Sequence, residues 1–394
     1  MQNLWNEAEA ATCKGILGPR VYTSRLLARD KSLMLHGGGG TSLKSKPASE
    51  EVLFVKGSGR DLNRVEAADF VPLDLARTRA LLERATPHNG AMASEIERCV
   101  IGTSTIRPSI ETMLHAALPC KYVEHTHADS ILAVANVENG ERVLADLYGD
   151  LAPTVGHRDS GLELARACRE TFEKHGTART IGLILRFHGA VAFGDSARAS
   201  YENMLRLASM AEDYLKSRGA WEIRSPESPP SPVDEGALSA LQAEVSHAAG
   251  CTLAVHCARD PLTLAFVRRD DLLTVSQQGP ATPQRAFFTR RVPLVGRDVA
   301  GYVRRYRDYL ERYLGSAAAS RMDSAPRIVL DPALGLCAFA ADAQGAATAA
   351  EVYRHDIEII SRASAHGVYR SAPEAAVALA EMEYGASGHQ GTTE

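Results

Sequence analysis

The spacing of apolar positions along the chain switches repeatedly between strand-like runs and helix-like periods, and the order of these switches predicts an α/β protein. Residues 6–27 read as helical, ending near Asp30. Apolar runs at 32–35 and 52–55 predict two strands, and each leads into glycine. The first enters Gly37–Gly40, then Thr41 and Ser42; the second enters Gly57-Ser58-Gly59. Two strands that each deliver a Gly/Ser/Thr turn predict paired loops at one end of a sheet. A helix is expected over 73–84. A further helix is expected over 109–118, with Pro108 suited to its first turn and Pro119 helping to end it. Helices are also expected from about residue 129, over 160–174 and over 197–216. Residues 180–187, TIGLILRF, are almost continuously apolar and predict a buried central strand ending at His188-Gly189, with a short strand at 190–193 after it.

At 224–236, RSPESPPSPVDEG, prolines, serines and acids replace the periodic pattern, which reads as an exposed linker and domain boundary. Residues 1–223 are then the first and larger domain and 237–394 a smaller α/β module with a helical tail. In this module helices are expected over 237–249, 299–314 and 346–365. Strands are expected at 252–256, 262–267 and 327–330, and a turn at Asp331–Gly335. No internal repeat is evident.

A hydrophobic share of 45% and a charged share of 23% over 394 residues describe an ordinary globular chain, long enough for two domains. The net charge of −4 comes with no cluster of basic and aromatic residues, which argues against a nucleic-acid partner. No apolar run approaches the ~18–20 residues of a membrane span, and the N-terminus MQNLWNEAEA carries no signal pattern. Seven cysteines, odd in number and without a Cys-x-x-Cys, read as free thiols. A cytoplasmic location is the expectation.

The stretch 107–129, RPSIETMLHAALPCKYVEHTHAD, concentrates the candidate chemistry. Glu111 and His115 stand four residues apart and share one face of the expected helix. His125 and His127 stand two apart and point the same way from an extended segment, as a metal-ligand pair would. His188, at the end of a buried strand, is a third candidate ligand; three imidazoles leave positions on Zn2+ open to substrate oxygens. A carboxylate beside such a site can move a proton on the carbon next to a bound carbonyl, which makes Glu111 the acid/base candidate. Its alternative is a helix-start carboxylate favoured by the dipole. His115 is either an orienting group or a packing residue. The glycine turns can aim backbone N–H groups and hydroxyls at phosphate, with Lys44 and Lys56 near in sequence; tight hairpin turns are the other reading. Gly57-Ser58-Gly59 lacks the third glycine of a dinucleotide fingerprint.

Together the segments VYTSRLLARD, HGGGGTSLK, LFVKGSGRDL, PSIETMLHA and EHTHAD and the later His188-Gly189 resemble the class II aldolase/adducin family. The likeness is greatest to the aldolase part of bifunctional rhamnulose-1-phosphate aldolase/alcohol dehydrogenases. It extends through GPATPQRAFFTRRVPL and IVLDPALGL, hence over nearly the whole chain. The chain ends at EMEYGASGHQGTTE, so the dehydrogenase part and its nicotinamide nucleotide are not expected. The resemblance implies a three-layer α/β/α fold with a central, mostly antiparallel sheet, plus a smaller C-terminal α/β module. It places metal ligands on His125, His127 and His188 and the acid/base carboxylate on Glu111. Phosphate and substrate contacts fall on Gly40, Thr41, Ser42, Ser58, Gly59 and Ser109. Two positions depart from the family: Gly40 stands where asparagine is usual, and Ile110 where fuculose-phosphate aldolases have a second serine.

The function implied by the resemblance is that of a Zn2+-dependent, or other divalent-metal-dependent, aldolase. It would cleave a deoxyketose 1-phosphate reversibly to dihydroxyacetone phosphate and a short aldehyde through a metal-stabilised enediolate. Tyr22, Tyr148 and Tyr201 are candidates for the proton acceptor at the C4 hydroxyl. A homo-oligomer, a tetramer by the family's habit, is implied. The alternatives are a sugar-phosphate 4-epimerase on the same fold and a non-catalytic, adducin-like interaction module.

Overall fold

The computed structural model describes residues 1–36, 38–46, 50–84, 89–224 and 232–386. Gly37, residues 225–231 of the proline-rich segment and the last eight residues of the tail lie outside them. The chain forms two compact units, one of Met1–Ala135 with Asn139–Tyr214 and one of Asn136–Glu138 with Leu215–Glu394.

The first unit is built on seven strands: β1 (Gly40–Ser45), β2 (Val52–Lys56), β3 (Phe70–Asp74), β4 (Tyr122–Thr126), β5 (Thr154–Val155), β6 (Gly182–Leu185) and β7 (Gly189–Gly194). Their order is β3-β2-β1-β4-β7-β6-β5, and every pairing is antiparallel except β5 with β6. The alternation of side chains along β4 divides the surroundings into two layers. Val123 faces an apolar cluster with Leu114, Leu118, Leu164, Leu183 and Val191, which brings helices Thr112–Ala117 and Leu162–His175 onto that face. Glu124 faces the other way. It pairs with Arg20 of helix Gly18–Arg29 and accepts a 2.9 Å hydrogen bond from Ser200 of helix Ala197–Ser217. Helices therefore cover both faces of a mostly antiparallel sheet, as the resemblance implied.

Several expected elements are corrected. The first helix is two, Glu7–Thr12 and Gly18–Arg29, because Gly15 turns at positive φ and Pro19 starts a new helix. Residues 32–35 form a turn and its continuation rather than a strand; the strand is β1, which begins at Gly40 inside the expected loop. The expected helix over 73–84 starts as β3; its Asp74 then accepts from the Arg77 N–H and caps helix Leu75–Ala80. Residues 180–187 hold only the four-residue β6, next to the sheet edge, and β4 takes the centre.

In the second unit β8 (Ala254–Ala258), β9 (Leu294–Val295), β10 (Ile328–Asp331) and β11 (Gly335–Ala340) make a smaller sheet, ordered β8-β11-β10-β9. Helix Ala343–His366 packs against β8 and β11. Helix Val299–Leu314 has the bounds its periodicity predicts, and Tyr302, Tyr306 and Tyr309 stack along its buried side. The expected strand at 262–267 is helix Pro261–Val267. Asp260 accepts from the Thr263 N–H and Pro261 occupies the first turn, so the cap outweighs the apolar run.

Arg20 and Glu124 are both fully buried, so removing one leaves the other without its counter-charge. Arg20→Ala is expected to lower unfolding free energy by about 3–5 kcal/mol, and Arg20→Met with Glu124→Leu to restore most of it. Denaturant titration checks both, and a double variant no more stable than Arg20→Ala would contradict the role assigned to this pair.

Candidate active site

Sheet pairing assembles the site. β4 carries His125, and His127 follows one residue past the strand end. β7 runs antiparallel to β4 with Thr126 opposite Ala190, so the turn entering β7 lies beside the end of β4. His188 occupies that turn, its N–H donating to the Leu185 carbonyl. On the other side β1 pairs with β4, and Gly40 is opposite His125. Two glycines make these close approaches possible. A Cβ on Gly39 (φ +82) would lie 2.3 Å from the His125 carbonyl oxygen, and one on Gly189 (φ +134) 2.1 Å from that of Thr126. Glu111 immediately precedes helix Thr112–Ala117 without capping it through its side chain, and its N–H donates to Ser109 Oγ.

These elements bring Glu111, His125, His127 and His188 together, with one ligand atom from each inside a common 4.8 Å. His125 Nε2 is 3.1 Å from His127 Nε2, and Glu111 Oε1 is 3.6 Å from His125 Nε2 and 3.4 Å from His188 Nε2. Ligands on a tetrahedral ion at ~2.0–2.1 Å are about 3.4 Å apart, so this spacing fits one ion. The tautomer of His125 fits as well. Its Nδ1 is 3.1 Å from the Ala190 carbonyl, to which it can only donate, leaving the Nε2 lone pair aimed at the cluster. Glu111, His125 and His188 are buried. Burial by itself would raise the Glu111 carboxyl, but His125 and His188 hold it well below the ordinary carboxylate range. Burial lowers the His188 imidazole, partly offset by Glu111. The four residues can hold a divalent cation.

Residues 20–215 match the family model for the class II aldolase and adducin N-terminal domain, and residues 233–386 match that for the second domain of class II aldolases. The chain belongs to the class II aldolase/adducin family. The N-terminal class II aldolase domain of a conserved protein from Thermoplasma acidophilum is 30% identical, with a TM-score of 0.50, over 55% of this chain and 99% of that one. An uncharacterized oxidoreductase of Bacillus subtilis (strain 168), YuxG, is 27% identical over 95% of this chain. The chain spans 58% of the length of that relative.

The remaining residues singled out for this class II aldolase chain separate into two groups. The Gly57–Gly59 turn pairs with the segment that precedes Glu111: the Ser58 N–H donates to the Arg107 carbonyl, and Gly57 bridges to Pro108, next to Ser109. Gly40, Thr41 and Ser42 are not in a loop. They lie in β1 between two partners, with Thr41 and Ser42 fully buried. Thr41 Oγ1 is 2.8 Å from Ser24 Oγ on one face, and Ser42 Oγ is 2.9 Å from His115 Nδ1 on the other. Lys56 Nζ donates to the Arg60 carbonyl inside its own turn, and Lys44 Nζ to that of Cys120. The candidate tyrosines have partners outside the cluster: Tyr22 accepts from Asn6 N–H, Tyr201 accepts from Leu4 N–H, and Tyr148 donates to the Leu207 carbonyl. His115 is buried, and burial lowers its imidazole to about 3, helped by Lys44. Sequence spacing could place His115 on the Glu111 face but could not reveal its Ser42 contact, which depends on the pairing of β1 with β4.

Burial also lowers the Lys44 ammonium from 10.5 to about 7. Between those values the unfolded chain keeps a proton that the folded chain has released, so stability rises with pH across that window. Lys44→Met removes this dependence. Its melting temperature relative to wild type is expected to improve as pH falls from about 10 to about 6, and a constant difference would contradict the burial of this amine.

Proposed function

We propose that the chain is a divalent-metal-dependent aldolase, with Zn2+ as the ion, that cleaves a deoxyketose 1-phosphate to dihydroxyacetone phosphate and a short aldehyde. Rhamnulose 1-phosphate and a 5-deoxypentulose 1-phosphate are the substrates of choice. The observation that carries the reading is the convergence of the Glu111 carboxylate with three imidazoles at one buried point of a class II aldolase sheet. His125, His127 and His188 are the ligands. The bound ion supplies Lewis-acid polarisation of a carbonyl and counter-charge for the oxyanion left when the carbon–carbon bond breaks.

Glu111 moves the proton on the carbon next to that carbonyl, taking it in the synthetic direction and returning it in cleavage. Its Oε1 is turned to His125 and His188, and its Oε2 to Gly40. In this reading the Arg107–Ser109 segment, with the Ser58-Gly59 turn paired to it, is the phosphate side of the site. Backbone N–H groups there and the hydroxyls of Ser58 and Ser109 are the phosphate contacts we favour. Thr41 and Ser42 lie within β1 with their hydroxyls on Ser24 and His115, so we give the phosphate to Ser58, Gly59 and Ser109 in preference to them. The reading includes no hydride step.

Ketose 1-phosphates and their unphosphorylated forms, assayed for dihydroxyacetone phosphate and aldehyde, test the substrate class. Release from a deoxyketose 1-phosphate is expected, and equal cleavage of the free sugar would remove phosphate from the proposal. Glu111→Gln keeps shape and hydrogen-bonding capacity but cannot exchange a proton, so turnover should fall ~10²–10⁴-fold with metal content unchanged. Near-normal turnover would return Glu111 to a structural role.

A further inference from the structure

Two of the cysteines meet in the smaller sheet. Strands β8 and β11 pair antiparallel with Cys257 directly opposite Cys337, and the two sulfurs lie 2.9 Å apart. Non-bonded carbon atoms, which are smaller than sulfur, rest at ~3.5–4.0 Å. The contact is therefore closer than packing alone requires. A thiol is both a weak donor and a weak acceptor, so one S–H can serve the other sulfur.

The placement also suits a covalent bond. Directly opposed residues of an antiparallel pair have Cα atoms ~4.5–5.5 Å apart, inside the ~4.4–6.8 Å span that a disulfide bridges. Bringing the sulfurs from 2.9 Å to the ~2.05 Å of a bond needs a movement of about 0.9 Å, within reach of small rotations of the two side chains. The alternative is a pair of packing residues. Cys337 belongs to an apolar cluster with Leu253, Val329 and Phe339, and Cys257 packs against it.

The surroundings make the two thiols unequal, which packing does not require. β8 stands at the end of the strand order, and Cys257 is half-buried there, whereas Cys337 is buried in β11. The Cys337 hydrogen bond lowers the Cys257 thiol, against burial and with help from the Arg259 guanidinium. The same contact, together with burial, raises the Cys337 thiol. A thiol that ionises more readily on an edge strand, with a second thiol against it, is the arrangement of an attacking and a resolving cysteine.

We infer that Cys257 and Cys337 are a modification site, a dithiol that low-molecular-weight disulfides convert reversibly to a covalent clip between β8 and β11. Cys257, as its thiolate, attacks one sulfur of the disulfide RSSR, forming a mixed disulfide and releasing RS−. Cys337 then attacks Sγ of Cys257, forming the Cys257–Cys337 bond and releasing the second RS−. The two protons given up by the cysteines go to the two leaving thiolates. RSSR is thus reduced to two RSH as the pair is oxidised by two electrons. The site lies wholly in the second unit, and the inference does not depend on the aldolase reading.

The full chain, treated with oxidised glutathione, blocked with N-ethylmaleimide, digested and weighed by mass spectrometry, tests the inference. The expected product is a peptide pair joined through Cys257 and Cys337, which dithiothreitol returns to two alkylatable thiols. Cys251 is exposed and should carry glutathione, which reports that the oxidant has acted. In Cys337→Ser the reaction should stop at the mixed disulfide, with glutathione on Cys257. Amide hydrogen exchange in β8 should slow several-fold in the oxidised wild type, because the end strand can no longer part from β11. Cys257 and Cys337 both alkylated while Cys251 carries glutathione, the result for a mere packing pair, overturns the inference. So does a Cys257–Cys337 bond that leaves exchange in β8 unaltered.

Discussion

Antiparallel pairing of β4 with β1 on one side and β7 on the other is the constraint on which the rest of the site depends. It puts Gly40 opposite His125 and Ala190 opposite Thr126. From that register the turn before β7 carries His188 to the end of β4, where His125 and His127 already point one way. The same register presses two backbones onto β4, which is why Gly39 and Gly189 stand there with positive φ and no side chain. A one-residue slip of β4 would send His125 to the opposite face, towards Arg20 and Ser200, and Glu124 away from them. The glycine-rich run thus serves the packing of strands around imidazoles.

The two faces of β4 handle buried polarity in different ways. On one, Glu124 pairs with Arg20 and accepts from Ser200, which ties helices Gly18–Arg29 and Ala197–Ser217 to the sheet. On the other, a Glu111 carboxylate oxygen and the ring nitrogens of the histidines converge at 3.1–3.6 Å from one another. Charge in the first group is closed by its own counter-charge. In the second, three imidazoles and a carboxylate share one point, an arrangement that a bound metal ion would stabilise.

Much of this was legible in the residues, and what was not has specific causes. Helix Val299–Leu314 follows from its periodicity alone, and Glu111, His125, His127 and His188 stand out by type and spacing, the His-x-His pair marking an extended segment. β1 did not, because Gly-Thr-Ser-Leu-Lys-Ser has little intrinsic strand preference; pairing on both edges decides its conformation. Read as a loop, the segment offers Thr41 and Ser42 to phosphate; in the sheet their hydroxyls meet Ser24 and His115. Helix Pro261–Val267 was hidden behind an apolar run, although Asp260-Pro261 is a helix-start signal in its own right. The contact between Ser42 and His115 joins residues 73 apart in the chain, and no local pattern encodes it.

The central claim is that Glu111 and the three histidines gather around a metal ion. Anomalous diffraction at the zinc edge from crystals of the metal-loaded protein tests it most directly. One strong peak per chain is predicted within bonding distance of the Nε2 atoms of His125, His127 and His188, and none in crystals of His125→Ala. A zinc-loaded crystal with no peak at these three rings, or with its ion elsewhere in the chain, would contradict it.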